Sequence, residues 1–435
     1  MTQCQIFNND KGIKVYPSSS TSQKISNNTI QSNRSDGIYI NYSRTGIEIS
    51  NNQIKSNNGH GIYLDNTTNY TSNRLQLVDN IISQNNEGIH AYRSHFNADN
   101  NTISYNQSYA IYSYSSSANV SVTGCLITQN GKGICKNNSG SFNVSNCTIS
   151  QNSDYAIKSI YATATIQNNV IASNQVGSAV VDLTDNASSK LEYNLIYNNV
   201  SSNADATAIH LDGTITCQYN SIRNNQTTYD LHFSGANTKT LTAENNDWGT
   251  TDEAQMADRI FDFFDDASKG VVDYKPYLTE PDASVPPVAP TNFQVTATTA
   301  NSISVSWQAA TDADVVGYLL YWRAEGEATT TVEVGTATAY TLSSLLPGRY
   351  YISVVAKDSS DMIGARTPDV YQVLAGPIVQ LEIISDFTAL LAGDLLQFVA
   401  YGTDAVNNTQ LMTAEDVSWS VVSDPAMGTI DADGL

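Results

Sequence analysis

Charge is what this sequence has least of. Lys, Arg, Asp and Glu make up 14% of its 435 residues, and the basic share is half the acidic one, 21 against 42. With so few basic residues and no cluster of them, binding of nucleic acid or docking on an anionic membrane is not expected. No run approaches the ~18 apolar residues that span a bilayer, so membrane insertion is not expected either. A helix-rich protein would carry more Glu, Lys, Ala and Leu; Asn, Ser, Thr and Tyr abound instead, which points to β structure. Cysteine is sparse and odd in number, five in all, with no zinc-like spacing, so free thiols are expected rather than a disulfide framework. The opening "MTQCQIFNND" has neither the basic nor the apolar region of a secretory leader and starts inside a repeat. A piece of a longer protein is therefore expected, its targeting segment elsewhere.

The acidity is not evenly spread. Residues 1–245 hold 14 Lys+Arg and 15 Asp+Glu, whereas residues 246–435 hold 7 and 27. The chain has two electrostatic halves, and the first is built of repeats.

Ile6, Ile30, Ile54, Ile82, Ile103, Ile127, Ile149, Ile171, Ile196 and Ile222 recur at steps of 21 to 28 residues. Asn stands three residues after every one of them, from Asn9 to Asn225, and Asn or Cys two residues before, ending with Asn246. Six to eight residues past most anchors comes Gly or Ala followed by an apolar residue, as in Gly37-Ile38, Gly61-Ile62 and Gly88-Ile89. A period near ~24 with short β-branched segments and polar turns predicts a parallel β-solenoid. Its coils stack at the ~4.8 Å strand spacing, which lines equivalent residues into columns. Stacked asparagines can then bond amide to amide, and Asn tolerates the left-handed backbone of a tight bend. Cys4, Cys125 and Cys147 fall in the same ladder position, on which a small thiol can replace the amide.

"NNDWGTTDEAQMADRIFDFFDDASKGVVDYKPYL" (245–278) ends the series. Thr251 reads as a helix cap, with Met256, Ile260, Phe263 and Phe264 at helical spacing, and such a helix would cover the open end of the last coil. Asp262, Asp265 and Asp266 are expected on its solvated face, since their spacing is not that of a calcium loop.

After the proline-rich "EPDASVPPVAP", short alternating segments carry Trp307 early and Tyr350 late in L-x-P-G-x-Y. Residues 290–375 resemble a fibronectin type III domain, in which Trp307 would be the core tryptophan and Tyr350 the corner tyrosine. From Pro377 onward the A-G-D-x-x-Q-F run (392–398), Trp419 and I-D-x-x-G (430–434) are similar to bacterial immunoglobulin-like repeats, here incomplete.

Chemistry is expected on the solenoid's outer surface. Alternation along the strand after each Gly-apolar pair gives one outward position per coil: Lys14, Tyr39, Tyr63, His90, Tyr112, Cys135, Lys158, Asp182, His210 and His232. The next outward position adds Tyr16, Asn41, Asp65, Tyr92, Tyr114 and Asp212. Over nine steps the column runs roughly 40 Å, enough for a chain-like ligand. Tyrosine also favours strands for reasons unconnected with ligands.

The N-x-I-x-x-N-x-x-G-I coils resemble the pectate-lyase-like superfamily of right-handed parallel β-helices, over residues 1–278. The resemblance implies an all-β chain: a right-handed parallel β-helix of about ten or eleven coils (1–249). A capping helix and segment (250–279) and a linker (280–289) follow, then the two β-sandwiches (290–375 and 377–435). It also implies polysaccharide as the partner, with lyase or epimerase chemistry as the enzymatic option. Such chemistry needs a base, an acid and a cation for the developing charge. "GIHAYRSHF" supplies His90, Tyr92, Arg93 and His95 as the catalytic candidates, flanked by Tyr39, Tyr63, Asp65, Tyr112, Tyr114 and His232 as binding residues. Lys158, Asp182, His210 and Asp212 form a second candidate cluster. Paired glycosidase carboxylates stand ~5–9.5 Å apart, whereas Asp65 and Asp212 are six coils, about 29 Å, from one another; only Asp182 with Asp212 approaches that range. No metal ligands are assigned, and calcium is left open without a motif for it. A monomer at the cell surface or outside a bacterial cell is expected. The alternative is a non-enzymatic adhesion protein with the solenoid as a rigid scaffold.

Overall fold

The computed structural model describes all residues except 17–22, 43–45, 68–73, 116, 326, 328, 386–396, 414, 421–429 and 431–435, together with the side chains of 185–187. Two units account for the chain: Met1–Val288 with Thr311–Val315 and Ala356–Ala365, and Ala289–Ala310 with Val316–Val355 and Arg366–Leu435.

In the first unit each repeat makes one turn of a parallel β-solenoid. One turn supplies Gln53–Lys55, His60–Asp65 and Leu75–Val78; the next supplies Ile81–Ser83, Glu87–Tyr92 and Phe96–Asp99, each strand parallel to its counterpart. The anchor isoleucines lie in register across a ten-stranded parallel sheet, and those from Ile30 to Ile222 are fully buried. Each contributes about 2 kcal/mol by leaving water. Because side chains alternate along a strand, the same pairing that stacks isoleucine inside stacks polar residues outside.

The asparagine doublets divide two tasks between two residues. Asn51 is exposed and turns the chain with φ near +55°, while Asn52 behind it is buried. Asn52 Oδ1 accepts the backbone N–H of Asn28 at 3.0 Å and its side-chain amide at 2.9 Å. Asn27–Asn28 and Asn100–Asn101 repeat the pattern. The left-handed backbone thus falls on the residue before the ladder asparagine, and even Tyr193 and Tyr219 adopt it. A buried acceptor must point inward, so the bend is made by its neighbour, whose side chain is free to point out. In the cysteine positions sulfur takes over as acceptor: Asn101 N–H reaches Cys125 Sγ at 3.3 Å, and Cys125 N–H reaches Cys147 Sγ at 3.4 Å. All five cysteines are free.

The end of the solenoid differs from the expected amphipathic plug. The helix is only Glu253–Asp258, and its N-cap is Asp252, which accepts from Ala254 N–H; Thr251 is not the cap. Met256 is buried beneath it, but Ile260–Phe261 is a strand that pairs with Leu231 and His232, and Val271–Asp273 pairs with Thr240–Thr242. Phe264 is left exposed. Strand extension satisfies the open backbone of the last coil, which a helix laid on it could not do. Asp262 is likewise off any helix: it is buried and accepts the N–H groups of Phe264 and Val272 at 2.9 and 2.8 Å.

In the second unit a three-stranded antiparallel sheet (Thr291–Thr299, Ser302–Gln308, Ala339–Leu342) accompanies a four-stranded one (Val315–Ala324, Thr330–Gly335, Gly348–Asp358, Val370–Leu374). Trp307 is buried with its ring 5.6 Å from that of Tyr318, and Tyr350 donates its hydroxyl to Leu346 O at 2.7 Å, closing the corner. Ile378–Ser385, Phe398–Asp404 and Thr409–Leu411 form a further antiparallel sheet. Residues 392–396 and 431–434 of the two immunoglobulin-like motifs lie outside the described residues.

Candidate functional site

Strand register brings the outward column together as one line. Lys14, Tyr39, Tyr63, His90, Tyr112, Cys135, Lys158, Asp182, His210 and His232 are successive partners, and Phe261 extends the line by one coil. Its lower part is aromatic. Ring centroids of Tyr16 and Tyr39 are 6.4 Å apart, Tyr39 and Tyr63 5.2 Å, Tyr63 and His90 5.0 Å, and His90 and Tyr112 5.3 Å. In the neighbouring column Tyr92 and Tyr114 stack at 6.1 Å, and Asp65 accepts from the Tyr39 hydroxyl and the Asn41 amide, both at 3.0 Å. Burial raises the phenol pKa of Tyr39, Tyr63 and Tyr112, so these rings remain neutral donors and are poor bases at neutral pH.

The upper part is ionic. Burial would raise the Asp182 carboxyl, but hydrogen bonds from His210, Lys158 and Thr184 outweigh it and hold the group far below the usual carboxylate range. Lys158 Nζ lies 2.7 Å from Oδ2 and His210 Nδ1 2.8 Å from Oδ1, while His210 Nε2 faces the Ser234 hydroxyl at 2.9 Å. An ionised Asp182 fixes the proton of His210 on Nδ1, leaving Nε2 to accept from Ser234. This Asp–His–Ser chain has the hydrogen-bond order that activates a serine nucleophile. Asp212, on the outward side of the same strand, is half-buried and takes no part in it.

A second column lies one position before each Gly-apolar pair: Lys11, Asp36, His60, Glu87, Tyr109, Lys132 and Tyr155. Here His60 Nδ1 is 2.8 Å from Asp36 Oδ1, and His60 Nε2 is 3.8 Å from Glu87 Oε2. His90, from the first column, brings Nδ1 to 2.7 Å from that same oxygen. One ligand atom each of His60, Glu87 and His90 lies within 4.8 Å of the others, and all three side chains reach solvent. Of the described residues, these are the group that could hold a metal ion.

The cluster expected from "GIHAYRSHF" is divided by the structure. His90 is engaged by Glu87, Arg93 lies exposed at a left-handed bend with its guanidinium 5.0 Å over the Tyr92 ring, and His95 is buried on the turn. His95 Nδ1 accepts from Asn119 N–H at 3.1 Å, and burial lowers its pKa, which suits a neutral acceptor inside the turn. A bend of three residues after the outward strand turns the chain inward, which alternation alone does not reveal. Cys135 is also covered, 4% exposed, and burial pushes its thiol up to about 11. Asp36, His60, Glu87 and Ser234 were missed by the sequence reading. The signal for the first three was the position before the glycine; Ser234 follows its strand and gave none.

Compared with known proteins, the chain matches the family model of the right-handed beta helix region over residues 1–98 and 69–247, and that of the fibronectin type III domain over residues 288–371. No curated protein matches the chain. Among solved structures, it is similar to the chicken CNTN1 FN1–FN3 domains, with 29% identity, TM-score 0.19, and coverage of 20% of this chain and 32% of that one. This chain thus spans about a third of that fragment's length. It is also similar to the FN5 domain of Drosophila Lar, with 22% identity, TM-score 0.19, and coverage of 21% and 99%. The third fibronectin III domain of human KIAA0343 protein is 17% identical, with TM-score 0.20 and coverage of 25% and 98%.

Proposed function

This chain belongs to the right-handed β-helix family and carries a fibronectin type III domain, and on that premise we propose that it is a secreted or cell-surface protein whose solenoid binds an extended polysaccharide. The observation that carries the reading is the unbroken ring contact from Tyr16 through Tyr39, Tyr63 and His90 to Tyr112. Aromatic faces repeated at the coil spacing offer sugar rings a stacking surface, and the neighbouring Asp65 and Tyr92 add hydrogen-bonding groups, whereas Asn41 is buried with its amide donated to Asp65 and the Tyr39 hydroxyl. The test is retention of the full chain on a panel of neutral and uronate polysaccharides. Tyr63→Ala and Tyr112→Ala are expected to weaken the best binder about tenfold or more, the effect of losing a central aromatic anchor. Unaltered affinity in both variants, or no retention of the wild type, sinks the reading.

Processing by β-elimination has less support, because the tyrosines of the track are neutral and His95 is buried away from them. Unsaturated uronate ends are not expected after incubation. A second reading rests on the Asp182–His210–Ser234 chain, which favours cleavage of an ester substituent by a serine nucleophile. A fluorophosphonate probe should label the wild type and spare Ser234→Ala; equal labelling, or none in either, removes this reading.

A further inference from the structure

We propose that His60, Glu87 and His90 form a binding site for one divalent first-row transition ion, with zinc the best match. The inference is independent of the polysaccharide reading.

Its first support is the donor set. Two imidazole nitrogens and one carboxylate oxygen are the ligands borderline ions such as Zn²⁺ take, with a fourth position open to water or a substrate oxygen. Calcium would instead need six to eight oxygens, which this place does not offer. Geometry agrees. Donors on a shell of about 2.0–2.2 Å around a tetrahedral ion stand roughly 3.3–3.6 Å from one another. The present separations of 2.7 Å (His90 to Glu87) and 3.8 Å (His60 to Glu87) lie on either side of that span, within reach of small side-chain rotations.

The second support is the proton on His60. Its Nδ1 meets Asp36 at 2.8 Å, and its backbone N–H meets the same oxygen at 3.2 Å. Asp36 is buried and is paired on its other oxygen with the Lys11 ammonium, so the carboxylate is held in place beside the imidazole. A carboxylate at Nδ1 places the proton there and leaves the Nε2 lone pair facing Glu87. At 3.8 Å the two acceptors are too far apart for a hydrogen bond, and a cation seated between them would be held by both. This carboxylate–imidazole arrangement orients metal-bound histidines generally. Side-chain exposures of 24% for His60, 14% for Glu87 and 22% for His90 leave an entry path, with Tyr63 and Tyr112 packed against the imidazoles.

The experiment is calorimetric titration of the full chain, free of any affinity tag and stripped with chelator, using zinc chloride, with cobalt(II) absorption as the spectroscopic probe. One equivalent is expected to bind. The affinity should fall at least about 100-fold in the His60→Ala/His90→Ala double variant and in Glu87→Gln, which preserves side-chain volume, and about 10- to 100-fold in Asp36→Asn, a positioning residue. Circular dichroism confirms that each variant is folded. Zinc binding that is equal in wild type and Glu87→Gln overturns the proposal, as does no binding at all. A cobalt spectrum dominated by sulfur charge transfer would move the ion to the cysteines and overturn it too. Calcium binding at least as tight as zinc would refute the assigned donor set.

Discussion

His232 shows how a position on a column sets the chemistry of one residue. It is packed 4.4 Å from the Phe261 ring and 5.2 Å from His210, with its buried Nε2 lacking a partner among the described residues. Burial, then His210 and Lys269, lower its pKa from 6.5 to about 4, against the opposing pull of Asp265. The unfolded chain therefore takes up this proton near pH 6.5 and the folded chain only near pH 4. Between those values the unfolded state holds more protons, so this group's contribution is intact above pH 6.5 and is lost as pH falls through 4. The drop in Tm between pH 7 and pH 4.5 should be smaller in His232→Phe than in the wild type. Equal drops would mean that His232 is protonated in the folded protein without cost. In His210, its neighbour in the same column, both ring nitrogens have partners, Asp182 and Ser234.

At the scale of an element, the strand Lys132–Asn137 shows how strongly backbone register overrules side-chain character. Lys136 is fully buried, in register with Ser113 and Ser159 on the core side. Its stem lies inward and its Nζ donates to carbonyls of the following bend and the coil before: Asn138 at 2.8 Å, Ser139 at 2.9 Å, Ser115 at 3.1 Å and Asn137 at 3.3 Å. Four acceptors compensate an ammonium whose pKa burial draws down to about 8, so it remains charged at neutral pH. Lys136→Met keeps most of the apolar stem but strands those carbonyls, at a cost of about 3 kcal/mol. The urea midpoint of the variant should fall accordingly; an unchanged midpoint would show that water serves the bend equally well. Glycine acts in the same strand by absence. A Cβ on Gly133 would stand 2.0 Å from the Ala156 carbonyl, which is why the coil begins with so small a residue there.

On the scale of the molecule, the solenoid is close to one-dimensional: each coil contacts the next, so a residue's neighbours are found one repeat away in sequence. Columns were therefore legible from spacing alone. The isoleucine core, both asparagine ladders, the free cysteines and the order of the outward residues from Lys14 to His232 all follow from one period and one alternation. The fibronectin region was legible for a different reason, since Trp307 and Tyr350 each fill a place that few other residues can. The concentration of acid in residues 246–435 sets the charge of that half without bearing on its fold.

The sequence by itself determined which residues stack, because a repeat with fixed strand positions leaves register little freedom. Tertiary structure decided what happens between columns and at bends. Glu87 stands in register with His60 and three residues before His90 on its own strand, and only the folded sheet turns both imidazoles toward its carboxylate. Three residues of turn carry His95 into the interior, and the open edge of the last coil draws Ile260–Phe261 into a strand where spacing alone suggested a helix. Sequence period encodes neighbours along the stack; distances across it depend on the curvature of each turn, which no single coil specifies.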